Sequence, residues 1–284
     1  MKKIFITYGD SSFEKSKKRL GAQVRKLGLF DDIFLYGPKD LPQYILASPL
    51  MAYNRGGGYW CWKPYVIWKT INENPDAIVV YADAGCFVQK SDDWSKWFEL
   101  METTQTVLFA YRTDFDYGWS ESYGKMTVEI ENWSKKDCLD FFDKCFCGTE
   151  WRSFTKILGG LVIVRYPSVL IKTWLDITLF HPELIMDPLD IENNRQIHGF
   201  IEHRHDQSIL TPLAFYYQNE KNVLEILSET AESDPNAGVL AKRIHDNNIE
   251  PFKCPPIKTI LIRIIKFFMG ERLYVFFHSL FSHK

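Results

Sequence analysis

Residues 77–82, Ala-Ile-Val-Val-Tyr-Ala, form the stretch that decides the fold, and Asp83-Ala84-Gly85 follows them directly. The run is apolar or aromatic at every position, and Pro75-Asp76 precedes it. A short continuous apolar run between such residues is typical of a strand that is buried on both faces, as in a parallel sheet covered by helices. We therefore expect this stretch to be a central strand.

The segments on either side predict alternating strands and helices. Residues 4–8 form a first strand, 13–27 a helix that Ser11 or Ser12 caps and Gly28 ends, and 32–36 a second strand. This order predicts an α/β fold with a mainly parallel, Rossmann-like central sheet flanked by helices. We also expect strands at residues 107–111 and 158–164, helices at 65–72, 94–101, 169–180 and 206–216, an irregular segment at 183–202 and a loop at 228–240.

The composition limits the class of protein. The chain has 284 residues, 46% hydrophobic and 25% charged, which excludes global disorder, a collagen-like repeat and a polytopic membrane protein. Aromatic residues reach 15%, which fits either a large aromatic core or stacking on sugars and bases. The six cysteines form no Cys-x-x-Cys pair and predict reduced thiols in the cytosol. The N-terminus lacks the apolar stretch of a signal peptide.

Charge is distributed unevenly along the chain. The net charge is −2, but residues 257–284 carry +4 and residues 1–256 carry −6, which argues against nucleic-acid binding. The basic segment is rich in Ile, Leu and Phe, yet charged residues and Gly270 interrupt it, so it is too broken to span a membrane. We expect a domain at residues 1–250 and an amphipathic helical tail at 251–284 that rests on the anionic inner face of the cytoplasmic membrane. Packing of the tail on the domain or on a partner subunit is the alternative.

Asp83 is the first candidate for a functional residue. Open α/β sheets bind ligands at the carboxyl ends of their strands, and Asp83 follows the predicted central strand. A carboxylate there suits a hard divalent cation that neutralises the phosphates of a nucleotide. The alternative is a residue that only caps a turn, a common role for aspartate.

Residues 55–64, Arg-Gly-Gly-Gly-Tyr-Trp-Cys-Trp-Lys-Pro, are the second candidate site. Three consecutive glycines let the backbone approach a ligand closely, and Arg55 and Lys63 supply positive charge for a diphosphate. Flat surfaces come from three aromatic residues: Tyr59, Trp60 and Trp62. The alternative is a flexible loop whose tryptophans pack in the core.

Two histidine-containing segments complete the candidates. Residues 203–208, His-Arg-His-Asp-Gln-Ser, place acid, amide and imidazole groups where a loop meets a helix. The alternative is that Asp206 has a structural role alone, as a helix N-terminal residue that the helix dipole stabilises. His245 is a possible metal ligand, although a lone surface histidine is the commoner outcome.

Together these motifs resemble those of bacterial nucleotide-sugar-dependent glycosyltransferases of the GT-A fold that build capsule or lipopolysaccharide glycans. The resemblance spans residues 1–250, and its most specific parts are the motifs at 56–64, 81–85, 158–160 and 203–208. Their order is similar to that of the retaining galactosyltransferases and glycogenin-like enzymes. In those enzymes an Asp-x-Asp motif closes a strand, a glycine pair opens a later one, an Asp-Gln pair lies near the sugar, and a late histidine completes the metal site.

The resemblance implies roles for the residues on the donor side. Thr7 and Tyr8 match the nucleoside pocket, and the residues of the 55–63 loop and Ala84 lie with the donor. Asp83 matches the first Asp of Asp-x-Asp, which faces ribose and metal, whereas Gly85 stands where the second would be. A divalent cation, Mn²⁺ or Mg²⁺, could still be bound by Asp83 with His245 and the diphosphate. Alternatively, Lys63 and Arg55 replace part of its charge.

The remaining matches concern the reacting sugar. Gly159 and Gly160 match the backbone beside the donor sugar, and Asp206 and Gln207 match the pair near the anomeric carbon. His203 and His205 are expected on the acceptor side or behind the reacting groups.

The resemblance implies a hexosyltransferase that moves a sugar from a nucleotide-diphosphate donor, expected to be UDP-linked, to a glycan or lipid-linked glycan, with retention of configuration. A non-catalytic protein that binds nucleotide sugars or glycans on the same fold is the alternative, suggested by Gly85. A nucleotidyltransferase fits poorly, because residues 9–12, Gly-Asp-Ser-Ser, lack the basic glycine-rich loop expected after the first strand.

Overall fold

The computed structural model describes residues 1–118, 127–189 and 195–242. Its strands are β1 Lys2–Tyr8, β2 Asp32–Tyr36, β3 Ala77–Ala82, β4 Cys86–Val88, β5 Thr106–Ala110, β6 Leu161–Arg165, β7 Leu224–Ser228 and β8 Val239–Ala241. Its α-helices are α1 Glu14–Leu27, α2 Gln43–Leu46, α3 Trp62–Glu73, α4 Asp93–Leu100, α5 Lys136–Phe146, α6 Val169–Phe180 and α7 Asp206–Tyr217. Short 3₁₀ turns and loops join them.

The central sheet has six strands in the order β2-β1-β3-β6-β5-β7. Five of them run in the same direction, and β6 runs against both of its neighbours. The predicted α/β class with a mainly parallel sheet is therefore confirmed. β4 and β8 form a separate antiparallel pair.

Helices cover the sheet and bury its central strand. Every residue of β3 is buried, as the apolar run predicts. α1 packs against β2 and β4, whereas α3 packs on β3 and α6 packs on both α3 and α7. The largest fully buried side chains are three tryptophans, Trp133, Trp151 and Trp174, so much of the aromatic content serves the core.

Several predicted bounds are confirmed and others need correction. The structure has β2, β3 and α6 at the predicted residues, and Gly28 ends α1 in a left-handed conformation with a φ of 68°. The turn before α1 is capped by Asp10, whose carboxylate accepts the Ser12 N–H at 2.8 Å; we expected a serine to do this. The predicted 228–240 loop contains the start of β8.

Two expectations lie outside the described residues: His245 as a metal ligand, and the tail at 251–284. Within the described ranges, none of the helices is both long and apolar enough to cross a bilayer.

Candidate active site

A cleft of about 560 Å³ opens at the carboxyl ends of β1 and β3. Twelve of the residues predicted to be functional line it: Tyr8, Arg55, Trp60, Trp62, Lys63, Asp83, Ala84, Gly85, Gly160, His205, Asp206 and Gln207. They come from five separate parts of the chain, which the sheet brings together at one edge. This is the edge where open α/β sheets bind ligands.

The reversed direction of β6 explains why Gly160 lies in this cleft, with Gly159 directly beside it. Because β6 is antiparallel to β3, the residues before β6 lie beside those after β3, and the Asp83 N–H donates to the Gly160 carbonyl at 3.0 Å. A Cβ on Gly160 would stand 3.1 Å from Asp83 Oδ2, and one on Gly159 would stand 3.0 Å from Asp206 Oδ2. The two glycines therefore allow both carboxylates to lie against the same stretch of backbone.

Lys63 joins these two carboxylates. Its Nζ lies 2.5 Å from Asp206 Oδ2, 3.2 Å from Asp83 Oδ1 and 3.1 Å from the Gly159 carbonyl oxygen. The Lys63 side chain is 2% exposed and that of Asp206 10%, whereas Asp83 is 37% exposed. Asp83 is therefore the member of this group that faces the cleft.

The electrostatics of the group keep Lys63 charged. Burial opposes the ammonium charge, but Asp206 and then Asp83 outweigh it, so that the pKa of Lys63 is raised above its ordinary value. The Tyr81 hydroxyl also donates to Asp83 Oδ1. Burial and the neighbouring Asp83 raise the pKa of Tyr81 well above its ordinary value, so this phenol stays a donor.

The glycine-rich loop forms a left-handed turn along the cleft. Five consecutive residues, from Gly56 to Trp60, have positive φ values between 52° and 99°. The indole of Trp62 holds the turn by donating to the Gly56 carbonyl at 3.0 Å. The same indole stacks on Tyr8 with ring centroids 3.8 Å apart, so both rings border the cleft as a stacked pair.

His203 and His205 shortly precede α7 in the chain, and both are buried. His203 Nδ1 accepts the Lys135 N–H at 3.2 Å, which leaves Nε2–H to donate to the Leu184 carbonyl at 2.9 Å. His205 Nδ1–H donates to the Ile185 carbonyl at 2.7 Å. Burial is the main cause that lowers the pKa of each imidazole, so both are neutral at pH 7.

Four of the predicted residues that the structure describes do not border the cleft, and their roles stay predictions. Thr7 is fully buried in β1, one residue before Tyr8. Tyr59 is buried and donates to Asp187 at 2.9 Å. Gly159 contributes its carbonyl to Lys63, and His203 lies behind His205.

The described residues of the cleft offer little free positive charge. Among the residues that the structure describes, four acids and three bases line it: Asp10, Asp83, Asp206 and Glu232 against Arg55, Lys63 and Arg204. Each base already has a carboxylate oxygen within 3.3 Å; for Arg55 this is Glu202 at 2.8 Å. Arg55 and Lys63 therefore do not offer the unpaired charge that we expected them to supply to a diphosphate.

Four charged residues at or beside the cleft were not among the sequence candidates: Asp10, Arg204 and Glu232 line it, and Asp187 accepts the Tyr59 hydroxyl. Asp10 could have been found, since it follows the first strand at the ligand-binding edge. Arg204 lies inside a motif that we singled out for its neighbours. Glu232 and Asp187 lie in irregular segments, and no sequence pattern distinguishes them from other acids in such segments.

The residues fit a divalent cation only in part. Within residues 1–118, 127–189 and 195–242, no group of three or more His, Cys, Asp or Glu side chains is arranged to hold a metal ion. Asp83 Oδ1 is occupied by Tyr81 and Lys63, but Oδ2 accepts no hydrogen bond from the described residues. Mg²⁺ commonly binds through one or two carboxylates plus substrate phosphates. Among the described residues, Asp83 Oδ2 is therefore the oxygen that could hold such a cation, and a substrate would have to supply further ligands.

Comparisons with known proteins find weak structural similarity alone. No protein-family model and no curated protein matches the chain. Mouse xyloside xylosyltransferase 1 shares 7% identity over 80% of this chain and 85% of its own, with a TM-score of 0.39. A glycosyltransferase involved in glycosylation of the major capsid of PBCV-1 shares 8% identity over 72% and 81%, with a TM-score of 0.36. The galactosyltransferase LgtC shares 11% identity over 78% and 72%, with a TM-score of 0.34. Scores this low do not establish a common fold.

Proposed function

We propose that the protein is a glycosyltransferase that moves a sugar from a nucleoside diphosphate to an acceptor hydroxyl. One observation carries this proposal: the cleft-facing Asp83 and the buried Asp206 are brought together by Lys63 at the ligand-binding edge of the sheet. Asp83 can contact the donor, while Asp206 lies close behind it against the glycine pair.

Glycosyl transfer passes through an oxocarbenium-like state, which a nearby negative or polar group stabilises. Asp206 and Gln207 both line the cleft, and Gln207 Oε1 is buried without a hydrogen-bond partner among the described residues. We assign these two side chains to the region of the anomeric carbon. Retention of configuration follows from the resemblance to retaining enzymes and is part of the proposal.

The donor side of the cleft suits a nucleotide that binds together with a cation. The stacked Tyr8 and Trp62 border the cleft at the end of β1, where the nucleoside, uridine in this proposal, would bind. The described residues of the cleft include more acids than bases, so a diphosphate would need added positive charge. A divalent cation held by Asp83 Oδ2 and the diphosphate would supply it and stabilise the leaving group.

The acceptor in this proposal is a glycan or lipid-linked glycan of surface-polysaccharide synthesis. The basic, apolar composition of residues 257–284 supports a place at the inner face of the cytoplasmic membrane, where a lipid-linked acceptor would be available.

The test uses the purified full-length chain with a panel of nucleotide sugars, with and without glycan acceptors. We expect release of the nucleoside diphosphate from one donor class, and loss of that release in Asp206→Asn, with nucleotide affinity nearly unchanged. Tight binding of a nucleotide sugar with no turnover under any acceptor condition would instead favour the non-catalytic binding protein.

A further inference from the structure

Lys63 is a fully buried ammonium group at the centre of the candidate site. An ammonium carries three hydrogen-bond donors. In this structure three acceptors surround it: Asp206 Oδ2 at 2.5 Å, the Gly159 carbonyl at 3.1 Å and Asp83 Oδ1 at 3.2 Å. The donors that would be needed to bind a phosphate are therefore already used within the protein.

From this geometry we infer that Lys63 is a positioning residue: it holds the Asp206 carboxylate in place for the reaction and ties it to the donor-facing Asp83. The inference rests on the proposed function, and it differs from the donor-binding role that the sequence suggested for Lys63. It assigns to Lys63 an effect on turnover and none of comparable size on nucleotide affinity.

The arrangement of Asp206 shows why it needs such a residue. It is the first residue of α7 and lies 143 positions from Lys63 in the chain, so local structure does not fix the two together. Its side chain is nearly buried, and a buried carboxylate without a partner is strongly unfavourable. Without Lys63, the carboxylates of Asp206 and Asp83 would also repel each other across the glycine pair. Asp206 would then move away from its present position.

The chemistry of lysine suits this position better than that of arginine. The three acceptors come from α7, from the residue after β3 and from the backbone before β6, so they approach from different directions. A compact ammonium can rotate its three donors toward them, whereas a guanidinium is a rigid planar fork. Arginine should therefore keep the charge and only part of the geometry.

The test compares Lys63→Met, Lys63→Arg and the control Lys69→Met, which changes an exposed ion pair with Glu73 on the same helix. We expect Lys63→Met to lower kcat by about 100-fold, the cost typical of a small misplacement of reacting groups. Its Kd for nucleoside diphosphate should stay within about threefold of wild type, because in this inference Lys63 makes no contact with the nucleotide. Lys63→Arg should recover part of the turnover and guards against a Met variant that fails to fold. Lys69→Met should behave as wild type.

Two outcomes would overturn the inference. If Lys63→Met loses nucleotide affinity as strongly as turnover, Lys63 contacts the diphosphate. If it keeps wild-type turnover, Lys63 positions nothing that matters to the reaction.

A second measurement separates this inference from the proposed function. If wild type releases nucleoside diphosphate from no donor, the proposed function fails, and a double-mutant cycle on melting temperature then tests the link itself. Lys63→Met, Asp206→Asn and the double variant should be strongly non-additive, because each single change leaves a buried partner behind. Additive shifts would show that the two groups are not coupled and would overturn the inference.

Discussion

Trp60 and His205 stack on each other, with ring centroids 5.2 Å apart and an interplanar angle of 29°. Both residues hold a positive φ, 60° and 48° respectively. Trp60 comes shortly before α3, which carries Lys63, and His205 comes directly before Asp206 in α7. The contact therefore joins the two chain segments that supply the ion pair. Unfavourable backbone conformations of this kind persist where the surroundings hold them in place, and they are common at functional sites.

The positive φ of His205 should reverse the usual order of stability of glycine and alanine variants at this position. His205→Gly should be more stable than His205→Ala by about 1 kcal/mol or more, because only glycine adopts this conformation without strain. Both variants lose the stack and the bond to Ile185, so the comparison isolates the backbone. Urea unfolding measures it.

The exposed helical position Lys96 serves as the control, where Ala should be more stable than Gly by about 1 kcal/mol. If His205 showed the same order as Lys96, its backbone would not be strained.

The glycine pair should be sensitive to a single added methyl group. Gly160→Ala places Cβ 3.1 Å from Asp83 Oδ2, and Gly159→Ala places it 3.0 Å from Asp206 Oδ2. We expect both variants to fold and to lose turnover by about 10-fold or more, since small displacements of reacting groups are costly. Gly28→Ala is the control: its Cβ meets no atom within 4 Å, but its φ is 68°. It should lose stability and keep its turnover per folded molecule.

Much of the framework could be predicted from the sequence, because it depends on local patterns. The apolar run of β3 and the apolar positions of α6 gave correct bounds, and Gly28 gave a correct helix end. The three-residue strands β4 and β8 are too short to show a period, and β8 lies in a polar segment. They form by pairing with each other across the chain, which a local pattern does not record.

The residues of the site were largely predictable, but the pairing of its charged side chains was not. Most of the predicted residues line one cleft because the ends of strands meet at one sheet edge. The pairing of Lys63 with Asp206 depends on the reversed direction of β6 and on the entry to α7, and neither is visible in the sequence. The sequence therefore assigned Lys63 and Arg55 to a diphosphate, whereas the structure pairs both with carboxylates.

Asp83 should control the effect of divalent cations on donor binding. We expect Mn²⁺ or Mg²⁺ to tighten binding of the nucleoside diphosphate, since the acids among the described residues of the cleft oppose the phosphates without it. Asp83→Asn should remove most of this tightening and most of the turnover while keeping the fold. Calorimetric titration of nucleotide with cation or with chelator measures the difference. Equal affinity in both conditions would show that the site needs no cation.

The basic tail should bring the chain to anionic lipid. Removing residues 257–284 should abolish sedimentation with anionic vesicles and leave nucleotide binding intact, because each Lys or Arg near such a surface contributes about 1 kcal/mol. High salt should weaken vesicle binding of the full chain only in part, since apolar burial remains. If deletion instead lowered the melting temperature sharply and vesicle binding was negligible from the start, the tail would serve the fold.

The last prediction concerns His203 and acid. Its two ring nitrogens are used as a neutral tautomer: Nδ1 accepts the Lys135 N–H, and Nε2–H donates to the Leu184 carbonyl. Burial lowers the pKa of His203 well below its ordinary value, so that below pH about 6.5 the unfolded chain takes up a proton that the folded chain does not. Stability is therefore independent of this group above pH about 6.5 and is lost as the pH falls further, by up to about 1.4 kcal/mol per pH unit. His203→Gln should be less stable than wild type at pH 7.5, yet its stability should fall less between pH 6.5 and 5.5. Urea unfolding across this range measures both effects, and an unchanged slope in the variant would place the acid sensitivity elsewhere.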